Sequence, residues 1–148
     1  MSARTELSGL KRFLARAHVL TLCAAQGDDM WCANAFYVFD PVIMAFDLMS
    51  SVGTRHGAMM AASARVAGTI ARQTRKIERI QGVQYLGTIG RLSGATEAAA
   101  RARYLAHFAL TAAPPAPIWR IALLELKFTD NTQGFGHKTV WSRAMDTD

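Results

Sequence analysis

Between His18 and Met49, three apolar stretches rich in β-branched and aromatic residues follow one another with almost nothing between them. They are HVLTLCAA (His18–Ala25), MWCANAFYVF (Met30–Phe39) and VIMAFDLM (Val42–Met49). The first gap, Gln26-Gly27-Asp28-Asp29, holds the residue types that supply the unusual backbone angles of a tight turn. The second is Asp40-Pro41. Connections this short join antiparallel strands, because a parallel crossover needs about a dozen residues or more. Four further strand-like segments follow: Arg65–Ala71, Ile80–Leu92, Ile118–Phe128 and Lys138–Arg143. Gly82, Gly87 and Gly90 suggest the bends or bulges that barrel corners need.

Three helical segments interrupt the strands. Leu7, Leu10, Phe13, Leu14 and Ala17 recur at helical spacing, with Lys11, Arg12 and Arg16 on the other face. Thr54 caps a short Ala- and Met-rich helix running to Ala62. A third opens near Ser93 or Thr96, runs to Phe108 and is stopped by AAPPAP (Ala112–Pro117). The expectation is a mainly β fold with flanking helices. About seven antiparallel strands would close into a small barrel whose ends the helices cover. One domain would span residues 1–148, with no repeat.

Hydrophobic residues make up 51% and charged residues 19%, the balance of a folded chain. The net charge of +6 raises nucleic acid as a partner. The charges are scattered, however; the densest run is RQTRKIER (Arg72–Arg79), and no helix-turn-helix or zinc-finger spacing accompanies it. A solvated loop is the favoured reading of that run. No apolar stretch reaches the ~18 residues of a membrane span, and the N-terminus has no signal pattern, so the cytoplasm is the expected compartment. Cys23 and Cys32 flank the hairpin turn at a spacing that offers neither a metal quartet nor a CxxC motif. A hairpin disulfide is open to them, but two buried, reduced thiols suit a reducing cytosol better.

Chemistry concentrates in SSVGTRHGAMMAASARVAGTI (Ser50–Ile70). Small hydroxyl residues, Gly53 and an arginine at a helix start are what a phosphate group needs. The first N–H groups of a helix lack partners, and its dipole favours an anion there. Ser50, Ser51 and Thr54 offer hydroxyls, and Arg55 a bidentate charged clamp. The bland alternative for Arg55 is a surface arginine paired with a carboxylate.

The order of elements resembles the FMN-binding split barrel of the pyridoxamine 5′-phosphate oxidase-like superfamily. Within it, WCANAFYVFD (Trp31–Asp40), TRHGAMM…ARVAGTI (Thr54–Ile70) and KFTDNTQGFG (Lys127–Gly136) resemble one small bacterial family described as uncharacterised. IQGVQYLG (Ile80–Gly87) and APIWRI (Ala116–Ile121) agree, and the likeness runs from about Leu10 to Trp141. It implies a homodimer with FMN in grooves between subunits. The flavin phosphate would sit by Ser50, Ser51, Thr54 and Arg55. The segment Asn34, Ala35, Phe36 and Tyr37 would lie against the isoalloxazine ring, and Gln84 matches a flavin-reaching glutamine, at a spacing to Gly87 that differs from the oxidases. The oxidases also carry a C-terminal segment rich in Arg, His and Trp that grips their substrate. This chain ends in TVWSRAMDTD and lacks it.

His56 has a free pKa near neutrality, but flavin chemistry needs no protein base, so phosphate contact or a subunit contact is preferred over catalysis. Asn34 could meet the flavin's polar edge or be an interface amide. Trp31, Trp119 and Trp141 read as core or interface aromatics. His107 and His137 have no spaced metal partners, and Lys138 could reach the cofactor across a dimer. The expected function is an FMN-binding oxidoreductase acting on a small molecule. The alternatives are a non-enzymatic flavin- or haem-binding protein on the same fold and, last, a basic nucleic-acid-binding barrel.

Overall fold

The computed structural model of the chain describes residues 2–112 and 115–146. Helix α1 (Ala3–Arg16) leads into β1 (Val19–Gln26), β2 (Asp29–Asp40) and β3 (Ala45–Met49). Helix α2 (Arg55–Ala62), β4 (Arg65–Ala71), a one-turn 3-10 helix at Ile77–Arg79 and β5 (Gln81–Arg91) come next. Helix α3 (Gly94–His107), β6 (Ile118–Asp130), a second 3-10 turn at Asn131–Gln133, β7 (Lys138–Ser142) and α4 (Arg143–Asp146) complete it.

The strands form one antiparallel sheet in the order β3-β2-β1-β4-β5-β6-β7, and β3 pairs again with β6. Six strands therefore close a ring. Strand β6 gives its first half (118–122) to β3 and its second half (125–129) to β7, which splits the barrel wall. Arg143 bridges that split, donating to the carbonyls of Leu123, Ile43 and Met44 at 2.7, 3.0 and 2.9 Å.

Alternation fills the interior, since successive side chains of a strand point to opposite faces. Leu20, Leu22, Ala24, Val66, Ile70, Val83 and Tyr85 join Phe46 and Leu48 in one core. Helix α1 adds Leu10, Phe13 and Leu14, and α2 adds Met59 and Met60. Helix α1 runs directly into the start of β1, whereas α2 sits by the β1–β2 tip. The two therefore cover opposite ends of the barrel. Helix α3 packs on the outside through Ala100 and Tyr104 against Ile118. Beneath it the cross-strand pair Asp47 and Arg120 forms a bidentate ion pair at 2.7 and 2.9 Å, with Arg103 of α3 at 3.6 Å.

Three expectations shift. The third strand starts at Ala45 rather than Val42, because Asp40 Oδ1 accepts from Val42 N and Ile43 N and Met44 adopts φ 53°, which makes a turn of 41–44. Arg143 leaves the last strand to open α4. Of the breaker segment Ala112–Pro117, residues 113 and 114 lie outside the described residues; α3 itself stops at His107. Of the three glycines taken as corners, Gly87 adjoins a register shift in the β5–β6 ladder.

Candidate functional site

Where β3 ends, the chain must cross to α2, and hydrogen bonds fix the crossing. Trp119 Nε1 donates to Ser50 O at 3.0 Å, and Ser50 N to Pro117 O at 3.2 Å. Thr54 is the N-cap of α2: its Oγ1 accepts from Gly57 N at 3.0 Å and donates to Ser51 O at 2.8 Å. Ser51 Oγ accepts from Gly53 N at 3.2 Å. The N–H groups of Arg55 and His56, in the first turn, have no partner inside the helix.

Arg55 reaches across to the hairpin tip. Its guanidinium pairs with Asp29 Oδ1 at 2.7 Å and lies over the Trp31 ring, 4.0 Å from the centroid. Both charged side chains are about half exposed, 49% and 58%. An exposed pair of this kind contributes about 0–1 kcal/mol, little enough for an anion that also meets the free N–H groups of α2 to displace it. A phosphate can therefore compete with Asp29 for Arg55. Neither Asp29 nor the stacking role of Trp31 is legible from the loop sequence, because both come from a strand more than twenty residues away.

His56 Nε2 lies 2.8 Å from Ser50 Oγ and 3.4 Å from Thr54 Oγ1. Ser50 is buried, and desolvation holds the imidazole's pKa below its ordinary value. No acidic side chain contacts His56 among the described residues, so this Ser–His contact lacks the third member of a nucleophilic triad.

Ser50, Ser51, Thr54, Arg55 and His56 are thus gathered at one end of the barrel. The segment on β2 divides. Asn34 and Phe36 lie on the outer face, while Ala35 and Tyr37 turn inward. The Tyr37 phenol donates to Leu14 O at 2.7 Å and the residue is 1% exposed, so its side chain is closed to a ligand. Burial also pushes that phenol's pKa up. Phe36 stacks on His18 (5.9 Å) and tilts against Phe108 (5.4 Å). Asn34 Oδ1 accepts from Thr21 Oγ1 at 2.8 Å.

Register places Asn34, Thr21, Thr69 and Gln84 in one row across β2, β1, β4 and β5. Directly opposed residues share a face, so Asn34 and Gln84 lie on one outer surface, about 14 Å apart by strand spacing. Beyond Gln84 the row continues into Lys127 and Val140, which line a shallow groove of about 370 Å³.

Other candidates settle elsewhere. Trp119 and Trp141 are buried, whereas Trp31 is half exposed beneath Arg55. His137 pairs with Glu6 at 3.0 Å, and His107 packs edge-on against Phe108. Among the described residues no three His, Cys, Asp or Glu side chains gather as metal ligands do. Cys23 and Cys32 are free thiols directly opposed in the hairpin. Cys23 is partly buried but Cys32 is exposed, because the hairpin's outer face carries no covering element at that point; the expectation of two buried thiols is corrected. Lys138 is exposed at the start of β7. No described helix is long and apolar enough to cross a membrane.

A cavity of about 750 Å³ lies at the opposite end of the barrel from the α2 loop, against α1.

No family model matches the chain. A UPF0306 protein of Photorhabdus laumondii is 50% identical over 143 residues, which covers 97% of this chain and 100% of that one. A UPF0306 protein of Yersinia pseudotuberculosis is 52% identical over 134 residues, 90% of this chain and 91% of its own. Among solved structures, a putative pyridoxamine 5′-phosphate oxidase of Listeria innocua superposes with a TM-score of 0.68 at 10% identity, over 83% of this chain and 97% of that one. An FAD-binding protein of Mesorhizobium loti gives 0.63 at 13%, over 80% and 90%. The haem storage protein HutZ of Vibrio cholerae gives 0.65 at 12%, over 78% and 88%. At these identities the structures speak for the fold alone, a split β-barrel. The whole-length relatives speak for descent, and by them this chain belongs to the UPF0306 family.

Proposed function

We propose that this protein binds FMN as a homodimer and serves as an oxidoreductase for a small molecule. One observation carries the reading. Ser51, Thr54, Arg55 and His56 surround the first turn of a capped helix on a split barrel, with an arginine whose ion pair among the described residues is with an exposed carboxylate. The donor set fits a phosphate monoester: two unpaired N–H groups, hydroxyls and one guanidinium. The same fold carries a flavin in the FAD-binding neighbour. FMN supplies the electron or hydride transfer, and the chain supplies anchorage, orientation and a bounded groove. Thr54 holds the loop shut against α2, Arg55 neutralises the phosphate, and Asn34 and Phe36 present an amide and a ring on the outer face. A homodimer would cover that face, where Val19, Met30 and Phe36 are exposed.

The test is titration of FMN into purified protein, read by flavin absorbance and fluorescence. Saturable binding is expected, weakened by about 1.5–3 kcal/mol, roughly 10- to 150-fold, in Arg55→Ala. Unchanged affinity in the variant would place the phosphate elsewhere, and no binding by the wild type would sink the flavin reading. Bleaching by a nicotinamide donor and recovery with an acceptor would mark an enzyme. The haem-storage neighbour favours a second reading, for which a Soret band in place of flavin absorbance is the sign.

A further inference from the structure

A cavity of about 750 Å³ lies where α1 meets the barrel. It is bounded by the end of α1, the starts of β1 and β5, and the ends of β4 and β6. It stands at the other end of β1 from the α2 loop, about 23 Å away at the usual rise per residue. Arg12 and Arg16 of α1 line it one helical turn apart, and Arg72 faces them from the end of β4. Like charges four apart on a helix destabilise it by about 0.2–0.5 kcal/mol. Arg16 has a separate reason to be there, since it sits in the last turn, where the helix dipole favours a cation. Arg12 and Arg72 have no such reason, and among the described residues no carboxylate pairs with any of the three.

The cavity's one acid, Asp130, is already engaged. Its Oδ1 accepts from Gln81 Nε2 at 3.2 Å and from Thr132 N and Oγ1 at 3.0 and 2.5 Å. Those bonds orient Gln81 so that its Oε1 accepts from Arg72 at 3.4 Å. The amide links a buried carboxylate to an exposed guanidinium and holds Arg72 toward the cavity. Gln73 and Gln133 add neutral donors on the rim, and Phe13 and Val19 give one apolar wall. Three cations against one occupied anion leave a net positive, concave site. Its groups face one another across a space, rather than forming the open stripe that tracks a nucleic-acid backbone.

We propose that the cavity formed by Arg12, Arg16 and Arg72 at the α1 end of the barrel binds a phosphorylated small molecule bearing at least two negative charges. The site is separate from the α2 loop and does not depend on the flavin reading. A volume of about 750 Å³ accommodates a ligand of nucleotide size.

The test uses inorganic pyrophosphate as the probe, titrated calorimetrically into the full chain at fixed ionic strength. A saturable component that persists in Arg55→Ala, where the α2 loop lacks its guanidinium, is expected. Arg12→Gln and Arg72→Gln should each weaken it at least about tenfold. Arg91→Gln, which removes the same charge elsewhere on the surface, and Arg55→Ala should leave it within about twofold. These arginines are exposed, and unchanged melting temperatures without ligand would show that the variants remain folded. Absence of saturable binding would overturn the proposal. So would an equal loss in Arg91→Gln, which would mean diffuse charge attraction, or a loss in Arg55→Ala with none in the cavity variants, which would place pyrophosphate at the α2 loop.

Discussion

At the scale of single residues, composition announces chemistry but not partners. The hydroxyls and charges of Ser50–His56 mark an anion loop because their types suffice for it. What each side chain does in the folded chain depends on residues far away: Asp29 on Arg55, Leu14 on Tyr37, Trp119 on Ser50. His56 gives the sharpest consequence. Its folded pKa is depressed by desolvation, so the folded state binds its proton less readily than the unfolded chain does. The associated stability is complete above the ordinary value of about 6.5 and is lost as pH falls through the lower folded value. Melting temperature measured from neutral to mildly acid pH should therefore fall for the wild type, and His56→Gln should flatten that limb. An identical slope in the variant would show that other groups carry the acid sensitivity. Tyr37 illustrates the opposite limit of reading. A strand alternates faces, so four consecutive residues could never all line one ligand, and which parity faces inward is set by the barrel rather than by the segment.

At the scale of elements, the hairpins, the three longer helices and strand β4 follow from apolar period and turn residues. Strand β6 does not. IWRIALLELKF alternates only in part, and the ladder explains why: Leu86 opposes Glu125 while Gly87 opposes Leu123, so Leu124 is the extra residue of a bulge. Ile121 and Leu123 point inward before it, and Leu126 and Phe128 after it, one residue out of phase. A bulge is a property of two strands and cannot be seen in one. Helix α2 shows a local rule overturned by its neighbour. Gly→Ala inside a helix ordinarily stabilises by about 0.8–1 kcal/mol. At Gly57, however, an added Cβ would stand 2.1 Å from Ser51 O and 2.8 Å from Thr54 Oγ1, both parts of the cap. Overpacking against a fixed backbone costs about 1–3 kcal/mol and outweighs the propensity. Gly57→Ala is expected to lower stability by about that amount in chemical denaturation and to loosen the anion loop. Gly53→Ala, whose Cβ would meet only Ser51 Oγ at 3.5 Å, should unfold near the wild-type midpoint. A stabilised Gly57→Ala protein would mean that the loop does not rest on α2 as described.

At the scale of the whole molecule, ring closure follows from strand count and short turns, but the pairing of β3 with β6 spans some seventy residues and leaves no local mark. The outer surface is equally silent in the sequence, because a half-buried strand and a subunit-facing strand share the same alternation. In the fold, β1 and β2 present Thr21, Cys23 and Ala25 beside the exposed apolar side chains of Val19 (39%), Phe36 (53%) and Met30 (64%). Small residues allow close approach and the larger ones supply apolar contact, which is what the proposed dimer would need of this face. Light scattering of the purified chain should give about twice 16.1 kDa. Met30→Asp is the informative variant: Met30 is on that face but is not a cofactor candidate, and a carboxylate buried between subunits without a partner is costly. It should dissociate the dimer while leaving the monomer folded. If the flavin sits between subunits, the same variant should bind FMN more weakly, and raising protein concentration should restore part of the affinity by mass action. A monomeric wild type would remove the interface, and a monomeric Met30→Asp protein with wild-type FMN affinity would move the cofactor out of it and onto a single barrel.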